Sequence, residues 1–543
     1  MRFFINTYTL LLLLLSLHSQ AQNELYTESI SRAENLLPTP QYIAIKNGVF
    51  ELNSKTKIVK HPKAKNAINF LQELLSTASG YRLKYTDRQE QNSVVFELDT
   101  TQTSAAYSLE INKKDIRIKA NSSSGFFYGM QSLIQLINPE IYSRNKVKKE
   151  TWILAQLEIK DAPKHRWRSF MLDSGREHQS VAFIKKYLDH MAFLKINVFH
   201  WHLTEGKGWR IEIKKYPKLT SIGANLGTGS SKGKFYSQKD IKEIVAYAAA
   251  RHIEVVPEID VPGHSEAALI AYPEYSCLQK APNPKMTFSA NLFCGGREST
   301  YTFLTNVFQE VCALFPSEYI HIGGDEAPKA IWKTCPHCQK RIETEGLQNE
   351  HELQIYFSNR IAKFLKTKGK KAICWGDVLH QEGPELEDNI VVYWWNWRRH
   401  KTKALDASIA KNIPLICGTN YYNYLNFPVT PWSKYKKNRT FDLKKIYLHN
   451  PSNLSKTAIQ KAGNILGMGT CLWTDWNVEQ HMIDKRVFPR IYAIAEQMWS
   501  KTSVTSFEKF YEKVQKQYKK LLILEVDYGP ALTHEVPLNY NWN

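Results

Sequence analysis

From Arg166 onward the chain repeats one rhythm: a short apolar strand, a loop, then an amphipathic helix. Candidate strands lie at 169–173, 197–202, 254–260, 319–323, 372–375, 390–394, 414–419 and 466–473. Segments 181–194, 240–251 and 350–366 between them carry apolar residues at helical spacing. Eight strands alternating with helices over about 330 residues predict a parallel (β/α)8 TIM barrel with inserted loops. An open doubly wound sheet shares the alternation. No glycine-rich phosphate fingerprint follows the first strand, however, which weakens a nucleotide-binding version of that fold.

Ahead of the barrel, residues 23–162 mix short strands (57–59, 93–98, 107–111) with helical stretches (67–75, 129–136) and read as a small non-catalytic α+β domain. The barrel domain is assigned to 163–543, including one helix near its C-terminus. Residues 1–22 read as a secretory signal: Arg2, an apolar run from Leu10 to Leu15, then the small-residue site Ser19-Gln20-Ala21. That run is too short for a permanent membrane anchor, and the expectation is an exported protein, periplasmic or secreted. The net charge of +20 comes from lysines spread along the whole chain, which reads as a solvated basic surface, and no nucleic-acid-binding motif accompanies it.

Eight cysteines in an exported chain permit disulfides. Cys277 and Cys294 bracket a loop rich in Pro and Asn and form the preferred pair. Cys335-Pro336-His337-Cys338 has the spacing of a redox or zinc half-site. It lacks a second CxxC or a following His pair, so a local disulfide is the expectation there. Cys374, Cys417 and Cys471 fall in apolar strands and should be buried.

In a barrel, function sits at the C-terminal ends of the strands. Those positions carry Arg168 and Asp173, then His200-Trp201-His202 with Glu205, then Asp260 and His264, then Asp325 and Glu326. Later ends carry Trp375-Gly376-Asp377, Trp394-Trp395, Tyr421 to Asn426, and Trp473 with Asp475. Acids, histidines and tryptophans on one rim suit a polyhydroxylated ring, with Trp faces against its C–H surfaces and carboxylates on its hydroxyls. In Ile320-His321-Ile322-Gly323-Gly324-Asp325-Glu326-Ala327 the strand stops at two glycines and two acids follow. Adjacent acids raise each other's cost of ionisation, which favours chemistry that needs a protonated carboxyl near neutral pH.

These residues resemble glycoside hydrolase family 20, the β-N-acetylhexosaminidases. The likeness is carried by His321 to Glu326, by Phe199 to Thr204 and Gly208 to Glu212, and by Glu258 to Ser265. Leu472-Trp473-Thr474 and Pro489-Arg490 with Glu496 and Trp499 add to it. The part from Pro38-Thr39-Pro40 to Leu133 resembles the family's small α+β domain.

The resemblance implies exo-hydrolysis of terminal β-linked GlcNAc or GalNAc with retention, using the substrate's own 2-acetamido group, with no metal or organic cofactor. It implies Glu326 as general acid, and Asp325 with Tyr424 on the acetamide. His264 and Glu205 stand behind the acid; Arg168, Trp375, Trp394, Trp473, Asp475 and Asn426 bind the sugar. Three departures stand out. Glu205-Gly206-Lys207 replaces the family's two acids and glutamine. Asn426 stands in place of Asp and Asp475 in place of Glu, which leaves glucosamine against galactosamine selectivity open. A shift of three residues would place Tyr421 and Asn423 where Tyr424 and Asn426 are assigned. Two alternatives share the fold: a catalytically silent glycan-binding protein, against which both retained acids count, and an enzyme releasing a disaccharide from a wider pocket, against which the three rim tryptophans count.

Overall fold

A computed structural model describes residues 23–540 apart from 89, 148–150, 228, 284–291, 397–399, 431–439, 450–462, 476 and 502–505. The leader expected at 1–22 therefore lies outside the described residues. Among the described residues no helix is long and apolar enough to cross a membrane.

The chain divides into two compact units. One comprises the described residues up to Lys164 together with Trp499–Asp527, and the other His165–Met498 with the residues from Tyr528. The helix Phe507–Ile523, expected with the barrel, thus belongs to the first unit.

The first unit holds a seven-stranded mixed sheet: β1 (Tyr42–Asn53), β2 (Lys57–Val59), β3 (Lys84–Thr86), β4 (Ser93–Leu98), β5 (Tyr107–Ile111), β6 (Asp115–Ala120) and β7 (Thr151–Asp161). Their order is β1-β7-β5-β6-β4-β2-β3, antiparallel as far as the β5–β6 pair and parallel beyond it. Helices Lys65–Ser79 and Ser123–Leu136 pack against each other, and the second lies on β5 and β6. Gly129 permits that approach, since an added Cβ would stand 2.7 Å from Ile118 Cγ2.

The second unit is a closed barrel of eight parallel strands in sequential order. They are Trp167–Asp173, Val198–His202, Glu254–Glu258, Tyr319–His321, Lys371–Trp375, Ile390–Trp394, Leu415–Cys417 and Ile465–Leu472, within a few residues of the sequence expectation. Met171, Val256, Ile373, Tyr393, Ile416 and Cys471 fill the interior as one buried cluster. Helices Val181–Phe193, Gln238–Ala249, Glu298–Leu314 and Glu350–Thr367 lie in the segments linking the first five strands. Ser180 caps the first through its hydroxyl, and Ser237 with Asp240 forms a capping box on the second.

Cys374, Cys417 and Cys471 are buried, as their apolar strands imply. All eight cysteines are free thiols, so neither expected disulfide is formed. The reason is spatial. The fold brings Cys277, Cys294, Cys335 and Cys338 into one cluster, and close sulfur contacts run between the 277–294 segment and the 335–338 segment.

Candidate active site

The fourth barrel strand leads into Gly323, at φ +67°. A Cβ there would sit 1.7 Å from Asp260 Oδ1, so only glycine fits. The turn lets the Gly324 N–H donate to Asp260 Oδ1 at 3.1 Å and the Gly323 carbonyl accept from the Trp375 N–H at 3.0 Å. Asp325 and Glu326 are thereby swung over the barrel mouth. Glu326 has φ +47°, and so does His264 on the neighbouring loop. Non-glycine residues held there cost about 1–3 kcal/mol each, strain that concentrates at functional sites.

Asp325 and Glu326 border a cavity of about 940 Å³, together with Arg176, His264, Asp377, Trp395, Tyr424, Asn426, Trp473 and Asp475. Behind the acids runs a charge chain. Arg176 pairs with Glu205, and Glu205 Oε1 lies 3.0 Å from His264 Nδ1. His264 Nε2 is 3.5 Å from Asp325 Oδ2 and 3.9 Å from Glu326 Oε2. Burial alone would lower the His264 pKa, but Glu205 and Asp325 hold it well above the ordinary histidine value. Burial would likewise raise Glu205, yet Arg176 and His264 hold it well below the carboxylate range. The charged form of His264 is thus favoured behind the two acids. The Glu326 carboxyl is raised, first by desolvation and then by Asp325, although 51% of its side-chain surface faces the open cavity. Asp325 Oδ1 is buried and accepts no hydrogen bond from the described residues. Asp377, which accepts from the Glu326 N–H at 3.1 Å and from Trp395 Nε1 at 2.7 Å, is pushed up to about 7 by burial and Asp325.

The family model described as "Glycosyl hydrolase family 20, catalytic domain" matches residues 165–502, and "Glycosyl hydrolase family 20, domain 2" matches residues 33–162. The chain belongs to glycosyl hydrolase family 20. This glycoside hydrolase is 34% identical over 527 residues to a beta-hexosaminidase of Porphyromonas gingivalis, covering 95% of this chain and 67% of the relative. The crystal structure of a beta-N-acetylhexosaminidase from Bacteroides fragilis superposes with TM-score 0.84 at 44% identity, covering 94% of this chain and 99% of that one. A family 20 exo beta-N-acetylglucosaminidase from Vibrio harveyi, in complex with N-acetylglucosamine, superposes with TM-score 0.80 at 27% identity, covering 92% and 79%.

Of the residues expected in the site of this family 20 hydrolase, Glu326, Asp325, Tyr424, His264, Trp473, Asp475 and Asn426 border the cavity, with Glu205 behind His264. Tyr424 borders the cavity, whereas Tyr421 meets the rings of Tyr422 and His449 edge-on. Asn426 Nδ2 donates to Asp475 Oδ1 at 3.0 Å, tying the two departures together. The main chain here is clamped from behind: Arg490 donates to the carbonyls of Leu425 and Phe427, and Arg486 to that of Asn426. Gly206 and Lys207 form the turn of a hairpin in which Glu205 pairs with Gly208, and that hairpin holds Glu205 against His264.

Trp375 is 1% exposed and stands behind Trp473, with its Nε1 donating to Glu258 Oε1 at 2.7 Å. It supports the wall without bordering the cavity. Two expectations are corrected. Arg168 is the second residue of the first strand, at the N-terminal end of the barrel, where it donates to the carbonyls of Lys195, His165 and Arg166. Five residues of strand, about 16 Å, separate it from the C-terminal rim. The arginine at the cavity is Arg176, three residues past the strand end, held by Asp173 at 2.8 Å. Trp394 points out of the barrel, 1% exposed, with its Nε1 on the Lys401 carbonyl. Strand side chains alternate, so Tyr393 faces inward and Trp395, two residues later on the same face, reaches the cavity.

A buried anion below the site was also missed. Glu258 accepts from His200 at 2.8 Å, lies 2.6 Å from His202 Nδ1, and is held low by three histidines against the opposing effect of burial. Its signal was present in the alternation: Glu258 and Asp260 fall on the same face of the third strand as it leaves the barrel.

Proposed function

We propose that the chain is an exported exo-β-N-acetylhexosaminidase acting on terminal β-linked GlcNAc or GalNAc, with retention through the substrate's 2-acetamido group. The supporting observation is one corner of the cavity. Asp325 offers a buried carboxylate oxygen that accepts no hydrogen bond among the described residues, and Tyr424, its hydroxyl pKa raised chiefly by burial, borders the same cavity. An acetamide needs both partners there, an acceptor for its N–H and a donor for its carbonyl oxygen. Glu326, its carboxyl pKa raised by desolvation and by Asp325, passes its proton to the glycosidic oxygen while the acetamide oxygen attacks the anomeric carbon. The leaving alcohol departs and a cyclic oxazolinium remains, its charge balanced by Asp325. Glu326, now a base, takes a proton from the water that reopens the ring, and the starting configuration returns. The exo mode fits a relative whose structure holds N-acetylglucosamine, and export fits Arg2 with the apolar run Leu10 to Leu15.

The test is a panel of aryl β-N-acetylglucosaminide, β-N-acetylgalactosaminide and β-glucoside, with the anomer of the first product followed by NMR. Hydrolysis of the N-acetyl substrates to the β-anomer is expected. Equal rates on the glucoside, which has no amide, would reject the reading.

A pH dependence follows from the same corner. Only protonated Glu326 donates, so kcat/KM falls as pH rises through its raised pKa. Asp325→Asn removes the neighbouring negative charge that helps raise it. The Glu326 pKa should drop and the alkaline limb move to lower pH. A pH–rate profile in which the limb stays in place for Asp325→Asn would contradict this coupling.

A further inference from the structure

The four cysteines that form no disulfide are gathered by two loops that leave the barrel mouth. Cys277 and Cys294 lie in the segment following the third strand; after the fourth, Cys335 joins helices Ala330–Thr334 and Pro336–Thr344 and Cys338 lies in the first turn of the second. Their sulfurs all lie within 4.8 Å of one another, with Cys277–Cys338 and Cys294–Cys338 at 3.7 Å and Cys294–Cys335 at 3.8 Å. Four thiolates about 2.3 Å from a central zinc stand at the corners of a tetrahedron with edges of about 3.8 Å. Disulfides would instead draw the four into two close pairs.

We propose that Cys277, Cys294, Cys335 and Cys338 bind one structural zinc ion that pins the two loops together beside the active site. Four sulfur ligands close the coordination shell and leave no position for water or substrate, so the ion serves structure and takes no part in glycoside hydrolysis. Thiolate tetrahedra select zinc or iron, and zinc is the choice for a site with no redox task in a hydrolase. The loops touch closely enough for the clamp to matter. A Cβ on Gly296 would fall 2.1 Å from the His337 carbonyl, and Trp332 Nε1 donates to the Phe293 carbonyl at 3.0 Å. Ala327, directly after Glu326, packs in the same buried cluster as Cys294, Cys335 and Cys338. The ion would thus help hold the backbone that presents the general acid.

The test uses the full chain purified without a metal-affinity tag or chelator. Elemental analysis should find one zinc per chain, and denaturation in EDTA should expose eight thiols to a thiol reagent. Protein produced in cobalt medium should show thiolate-to-cobalt charge-transfer absorption, lost in Cys338→Ser. Should that variant fail to fold, the wild-type zinc and thiol counts still decide. Four missing thiols with an intact mass lower by two disulfides, bound iron, or eight thiols with no metal would each overturn the proposal. None of these readouts depends on which glycoside the enzyme cleaves.

Discussion

Glu326→Gln is expected to lower kcat by about 10³-fold on substrates whose leaving group is a sugar or simple alcohol, within the range that general acid–base groups contribute. The loss should shrink to about tenfold when the leaving group is a strongly acidic phenol, which departs without a proton. The substitution is close to isosteric, keeps the backbone at φ +47°, and falls on a side chain half open to the cavity, so folding should be unchanged. A series of aryl glycosides of graded acidity separates the explanations. A general acid makes the variant's rates depend steeply on leaving-group pKa where the wild type's depend weakly. Two parallel lines, or a variant as fast as wild type, would remove Glu326 from that role.

Hydrophobic periodicity located all eight barrel strands because each is largely buried on both faces and mostly apolar, even where Ser169, His200 or Glu258 interrupts the run. It passed over β1, β3, β6 and β7 of the first sheet; in the β1–β7 pair at one edge, residues such as Lys46, Asn47 and Gln156 interrupt the pattern. The double glycine before Asp325 was interpretable because no other residue tolerates the turn it makes. Arg168 and Trp394 failed for a different reason. Both belong to the right strands, but a functional rim is defined within one or two residues of strand ends and by the side chain's parity. Periodicity does not fix ends that closely. Arg176 and Trp395 lie just past those ends. The cysteines show the other limit, since pairing by nearness in sequence cannot reveal that residues 277 and 338 meet through two loops.

Asp325→Asn should cost about 10²–10³-fold in kcat/KM on N-acetyl substrates, the scale of removing one preorganised electrostatic contact to a charge that develops in the transition state. Asparagine keeps the shape but turns an anion into a neutral amide, and its NH2 can face the substrate N–H where Asp325 Oδ1 would accept. The positive charge spreading over the cyclising acetamide then loses its counter-ion. His264, 3.5 Å away, also loses one of the carboxylates that balance its charge, so whatever positive charge it keeps would oppose the developing cation. Both effects act on the transition state more than on the bound ground state. Substrate affinity should therefore change little while kcat falls. An inhibitor that mimics the cyclised intermediate should lose affinity in step with kcat/KM, whereas the simple product sugar should not. If the mimic binds the variant as tightly as the wild type, Asp325 does not steady the amide, and the nucleophile must be sought among the other carboxylates of the cavity.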